Sequence, residues 1–133
     1  MLGVFDILKL LADKGSLEIF NIVALKEKID GKSLRSMNRF TKRQYYSKTQ
    51  QLQENGLVKR KLGVLSLTSF GKVVYDSKLK LDAAVKEYYS LKAVDSIRGT
   101  KEIGEERHKE LIKNIISDKG IKTILLDKYG VKS

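Results

Sequence analysis

Between Lys26 and Lys61 the chain carries eleven Lys or Arg residues against three acidic ones, Glu27, Asp30 and Glu54, a local charge of +8. The full 133 residues reach only +11, from 27 Lys+Arg and 16 Asp+Glu, so one short stretch holds most of the excess. Cations this dense suit a line of phosphates, because neutralising such a line releases its condensed counterions and drives binding. Among them stand Gln44, Tyr46, Ser47 and Gln50. Arg and Gln can make paired hydrogen bonds to guanine and adenine edges, while Tyr and Ser hydroxyls can reach phosphate oxygens. The chemistry in view is recognition of an anion.

Bond-breaking chemistry has little to work with. There is no cysteine, which excludes thiol nucleophiles, disulfides and Cys-ligated metal sites, and the single histidine leaves no His pair for a metal. His108 lies among Glu105, Glu106, Arg107 and Glu110 in a helical pattern and reads as a solvated side chain. The carboxylates are scattered, and Gly63, Gly71 and Gly99 are too dispersed for a phosphate loop. Neither an enzyme nor a cofactor is expected, and no small-molecule site is legible. No apolar run nears the ~18–20 residues of a bilayer span. The segment from Met1 to Asp13 has no basic start and no small-residue cleavage site, so a secretory leader is not expected. The expectation is a cytoplasmic, nucleoid-associated protein with no membrane partner.

The basic residues need elements to hold them. Val4, Ile7, Leu8, Leu10 and Leu11 recur at helical spacing, giving a helix over 2–14 that faces a core or a second copy. Ser16 reads as the N-cap of a second helix with Leu17, Phe20, Ile22, Val23 and Leu25 on its apolar side. Asp30-Gly31 marks a turn, and Ser33 caps a short helix from Leu34 to about Met37. After a break at Asn38-Arg39-Phe40, the pattern Thr41-x-x-Gln44 is that of a capping box opening a third helix. That helix ends at Asn55-Gly56, where Leu57 can fold back on Leu52.

The period then changes from helical to alternating. Residues 57–61 and 64–67 read as two strands around a tight Leu62-Gly63 turn. Thr68 caps the longest helix, 69–97, about 43 Å long at 1.5 Å per residue, until Gly99 breaks it. A fifth helix over 102–117 ends near Lys119-Gly120, and 121–129 is weakly helical.

Three stretches carry a family resemblance: Thr41-Lys-Arg-Gln-Tyr-Tyr-Ser-Lys, Leu52-Gln-Glu-Asn-Gly-Leu-Val-Lys-Arg and Leu65-Ser-Leu-Thr-Ser-Phe-Gly-Lys. Together they resemble archaeal-type winged helix-turn-helix transcription regulators. In those, a recognition helix ends in Leu-x-x-x-Gly-Leu-Val and the wing ends in Leu-Thr-x-x-Gly-Lys. Here Leu52, Gly56, Leu57 and Val58 match the first element, and Leu67, Thr68, Gly71 and Lys72 the second. The match is clear over 16–75 and looser beyond. It implies a mainly α fold with a small β-hairpin: a winged helix-turn-helix over 1–75, then a long C-terminal helix and additional helices in an extension over 76–133. It implies a sequence-specific double-stranded DNA-binding transcription regulator, with recognition helix 41–55 in the major groove and wing 57–67 on the backbone or minor groove. Charge on both elements favours that over a winged-helix protein–protein module of a transcription or chromatin assembly, or an RNA-binding protein.

Helical phase assigns the residues. Tyr45, Thr49 and Leu52 share an inward face, which leaves Lys42, Arg43, Gln44, Tyr46, Ser47 and Gln50 outward and Lys48 at the margin. Gln44 has two readings, base contact or capping-box partner of Thr41. Tyr46 also has two, DNA contact or packing under the wing against Leu65. Lys59, Arg60 and Lys61 form a basic wing, of which at most two can point the same way. Arg35 and Arg39 read as phosphate clamps. Phe70, Val74, Ser77, Leu81, Ala84, Tyr88 and Leu91 form a coiled-coil-like seam. Its later members, Leu81, Ala84, Tyr88 and Leu91, imply a homodimer interface. The alternative is packing against Ile103, Leu111, Ile112, Ile115 and Ile116 of the same chain.

Overall fold

Residues 2–37, 39–98 and 104–128 are described by the computed structural model, which is mainly helical with a small three-stranded antiparallel sheet. The chain falls into two units that divide between Asp76 and Ser77.

In the first unit, helix α1 (Val4–Leu11) turns Ile7 and Leu10 inward. Helix α2 (Lys14–Lys26) is capped by Asp13 rather than Ser16. The Asp13 carboxylate accepts from the Ser16 N–H at 2.9 Å and from its hydroxyl at 2.8 Å, so Ser16 sits inside the first turn. Helix α3 (Gly31–Met37) repeats this arrangement, with Asp30 in place of the expected Ser33 cap. In both cases a carboxylate at the cap satisfies an amide and a hydroxyl three residues on.

Helix α4 (Lys42–Glu54) opens with the expected capping box: the Gln44 N–H donates to the Thr41 hydroxyl and the Thr41 N–H to the Gln44 side chain. It closes in a Schellman motif. Gly56 takes φ +75°, its N–H donates to the Gln53 carbonyl, and the Leu57 N–H donates to the Leu52 carbonyl at 3.0 Å.

The sheet has one more strand than expected. Strand β1 (Ile29–Asp30) pairs with β3 (Val64–Leu67), which also pairs with β2 (Val58–Lys61), giving the order β1-β3-β2. Leu62 and Gly63 take φ 52° and 78° in the two-residue turn between β2 and β3, the primed geometry that suits strand twist. The register sets Ile29, Val58, Arg60, Leu65 and Leu67 on one face and Asp30, Lys59, Lys61, Val64 and Ser66 on the other. The first face covers a core that includes Ile19, Phe20, Val23, Leu34, Tyr45, Leu52 and Leu57.

Thr68 begins helix α5 (Ser69–Lys86). Its hydroxyl donates to the Gly56 carbonyl and accepts from the Gly71 N–H at 2.8 Å, while its own N–H donates to the Leu57 carbonyl at 3.1 Å. A Cβ on Gly71 would lie 2.0 Å from that same carbonyl oxygen, so only glycine fits there.

In the second unit the expected continuous helix 69–97 is interrupted at Glu87, with α6 (Tyr88–Arg98) following. The buried Glu87 carboxylate accepts from the Ser117 N–H and hydroxyl and from the Asp118 N–H. The Ser117 hydrogen bond foremost holds this carboxyl below the usual range, against the effect of burial. Helix α7 is Glu105–Ile115, and Asp118 caps α8 (Lys119–Thr123), so Lys119-Gly120 opens a helix instead of closing one. Wider π-type turns follow over Ile124–Lys128. Gly99, the expected start of the fifth helix at Glu102 and Ile103, and Tyr129 lie outside the described residues.

Val94, Ile112, Ile116 and Ile121 form this unit's core, with Ala84 and Leu91 packed against it. Two of the four residues expected to meet a second copy are thus committed within the chain, whereas Leu81 and Tyr88 are exposed. His108 is 5 % exposed, not solvated as expected, and among the described residues neither ring nitrogen has a hydrogen-bond partner. It lies one turn before the buried Ile112 and so shares the helix face that packs.

Lys48 of α4 reaches the Asp13 carboxylate at 2.8 Å, and this hydrogen bond, followed by those from Ser16, lowers the Asp13 pKa from 3.8 to about 2. A carboxyl held ionised by folding contributes fully above its unfolded pKa, and that contribution is lost as pH falls through the folded one. The side chain is 48 % exposed, and solvent screening reduces the linkage to about 1 kcal/mol. Asp13→Asn keeps the cap acceptor and loses the charge. Urea unfolding should show it about 1 kcal/mol less stable at neutral pH, with the difference from wild type vanishing as pH falls from about 4 towards 2.

Candidate functional site

Helix α4 presents two faces with different chemistry. Tyr45, Thr49 and Leu52 are buried, Tyr45 with 1 % exposure, so the inward phase read from the sequence holds. The Thr49 hydroxyl donates to the Tyr45 carbonyl at 2.9 Å and accepts from the Arg60 guanidinium at 3.3 Å. The same guanidinium lies 3.5 Å from the Tyr45 hydroxyl and 5.9 Å from the centre of the Tyr46 ring. Burial pushes the Tyr45 phenol up in pKa, with Arg60 opposing.

The outward face carries Lys42, Arg43, Gln44, Ser47 and Gln50, all exposed, and Tyr46 at 46 %. The Tyr46 ring meets Tyr45 edge-on at 5.2 Å. Tyr45, Tyr46 and the Arg60 guanidinium touch one another in one cluster, with the Tyr46 ring half open to solvent. The Gln50 amide donates to Glu54 at 3.0 Å. Gln44 spends its side-chain oxygen on the Thr41 N–H, the capping-box half of its double reading, which leaves the –NH₂ end of the amide. Lys48 departs from expectation more clearly. Its ammonium is paired with Asp13 and lies 6.0 Å from the Phe40 ring centre, so it serves the fold. Arg35 on α3 is half-buried, and its buried Nε has no hydrogen-bond partner among the described residues. Arg39 is exposed just before α4.

The basic tripeptide of the hairpin is split by the strand period. Arg60 pairs with Leu65 and turns towards α4, while Lys59 and Lys61 pair with Ser66 and Val64 and point the other way. Alternation alone allows this two-and-one division, but not which member faces the helix. Two further lysines, Lys28 after α2 and Lys72 on α5, lie beside Lys59 and Lys61. Nothing in sequence spacing links these four, because they are joined only through the sheet.

Among the described residues no three His, Cys, Asp or Glu side chains are grouped to hold a metal ion. Nor is any described helix long and apolar enough to cross a membrane. Compared with known proteins, the chain matches no family model, and no curated protein or solved structure is similar to it.

The two adjacent tyrosines give a direct test of the phase of α4. Tyr45→Ala removes a fully packed ring and should cost about 3–5 kcal/mol of stability. Tyr46→Ala leaves the core intact and should cost less than about 1 kcal/mol. Urea titrations of both variants beside wild type measure the difference, and comparable losses would mean that both rings bear on the core.

Proposed function

We propose that this chain is a sequence-specific double-stranded DNA-binding transcription regulator of the winged-helix kind, with α4 as its recognition helix and the β2–β3 hairpin as its wing. The observation that carries this reading is the exposed face of α4. Cationic, amide, hydroxyl and aromatic side chains stand there on a helix whose opposite side is locked into the core. A helix fixed along one face and bearing such groups on the other suits the major groove, where specificity comes from base edges and positioning from phosphates.

Each residue then has a role its surroundings allow. Arg43 reads guanine with its paired donors, and Gln50 turns from Glu54 to an adenine edge. Lys42, Arg35 and Arg39 hold phosphates. Tyr46 meets sugar or a thymine methyl and Ser47 a phosphate, while Gln44 offers only its –NH₂. Arg60 positions the Tyr46 ring and is not itself a phosphate ligand. The wing meets the backbone at its tip, where Leu62 is 96 % exposed beside Lys61.

The active species is a homodimer in the cytoplasm, on the nucleoid. Val4, Phe5 and Leu8 of α1 are large apolar side chains left exposed, as are Leu81 and Tyr88, and a second copy would cover them.

Duplex binding measured by fluorescence anisotropy across a salt series tests the proposal. The logarithm of affinity should fall linearly with the logarithm of salt, with a slope of about −0.9 per phosphate neutralised. Arg43→Ala should cost about 1–3 kcal/mol on a selected site and relax base choice, whereas Lys42→Ala should weaken all duplexes alike. Affinity no better than for a neutral polymer at low salt would refute DNA binding, and a sequence-blind loss from Arg43→Ala would refute α4 as the reading element.

A further inference from the structure

The face of the sheet turned away from α4 has no part in the proposed groove contact of the recognition helix. Lys59, Lys61, Val64 and Ser66 point from it together, set by the β2–β3 register. They floor an open cleft of about 880 Å³, walled by the end of α2 and the start of α5. Lys28 enters from the first wall and Lys72 from the second. Against these four lysines the cleft holds one acid, Glu27. Among the described residues none of the four has an ion-pair partner. Ammonium groups gathered without an anion repel one another, so a dianion seated between them relieves that repulsion.

Charge is only half of the surface. Ala24 and Val64 line the same cleft with apolar side chains, and Tyr75 closes one side. The volume lies within the roughly 300–1,000 Å³ of small-molecule sites, and such sites pair apolar walls with a few convergent polar groups. A nucleic-acid backbone is a ridge of phosphate and sugar, which would use the lysines and leave the apolar wall empty. A small phosphate ester with a flat apolar body uses both.

We propose that this cleft binds a small organic phosphate of nucleotide size. Its phosphate sits among Lys28, Lys59, Lys61 and Lys72, and its flat body lies against Ala24 and Val64 beside Tyr75. The site is separate from the outward face of α4 and does not depend on that face binding DNA.

The test uses the full chain with AMP as probe, and inorganic phosphate and adenosine as controls at matched ionic strength. Amide chemical shifts should move saturably at Lys28, Lys59, Ser66 and Lys72, and AMP should bind about tenfold or more tighter than either control. The double variant Lys28→Gln/Lys72→Gln changes two exposed side chains, and its thermal melt should match wild type. It should lose about tenfold in AMP affinity while duplex binding changes by less than about threefold. Absence of saturation, or phosphate binding as tightly as AMP, would overturn the proposal. So would equal losses of AMP and duplex in the double variant, which would make the cleft part of a nucleic-acid track. Failure of duplex binding in wild type, with AMP binding intact, would defeat the DNA reading and leave this one standing.

Discussion

The first unit depends on the junction made by Thr68. One hydroxyl and one amide of this residue join the carbonyls of Gly56 and Leu57, where α4 ends, to the first turn of α5. The Leu57 carbonyl can come that close only because Gly71 has no Cβ to meet it. The end of α4, the entry to β2 and the start of α5 are therefore held at one point. Leu57 is fully buried beside Leu52, so the polar knot is packed from within. A helix pinned in this way cannot rotate about its axis without breaking the knot. The helical period puts Tyr45 in the core and Tyr46 at the surface, and the knot holds α4 in that phase.

Arg60 extends the restraint from backbone to side chains. It crosses from β2 to α4 and gives the buried Thr49 hydroxyl a donor, so the polar group on the helix's inner face is satisfied. Its guanidinium also lies against the Tyr46 ring, at the edge of the exposed face. The cost is that the hairpin's cations do not act together. With Arg60 spent on α4, Lys59 and Lys61 belong to the opposite face, and the charge that looks like one patch in the sequence becomes two surfaces.

The second unit is organised by a buried carboxylate. Glu87 collects three hydrogen bonds from Ser117 and Asp118, and the helix that began at Ser69 is interrupted there. The seam read from the sequence is consequently divided. Ala84 and Leu91 pack beside Val94, Ile112 and Ile116, while Leu81 and Tyr88 stay at the surface. His108 follows the apolar side of α7 into the interior, a residue buried by the phase of its helix rather than by its own chemistry.

What the sequence determined by itself is local. The Thr41–Gln44 capping box, the Schellman end at Gly56, the two-residue turn at Leu62-Gly63 and the buried phase of Tyr45, Thr49 and Leu52 all rest on groups within about five residues of one another. Such features are set by helical and strand periods and by backbone preferences that any reader of the chain possesses. The Asp caps at positions 13 and 30 belong to the same class, since Asp-x-x-Ser is a visible signal, although which residue of the pair caps depends on where the backbone turns. Only the tertiary structure decided the rest. Strand β1 has two residues, too few for a period, and exists because β3 pairs with it. Lys48 is tied to Asp13, 35 positions away, and Glu87 is held by groups 30 and 31 positions away. The lysine cleft gathers residues from α2, both hairpin strands and α5. Charge and hydrogen-bonding capacity are written in each residue, but a partner distant along the chain is chosen by packing, and packing has no period to read.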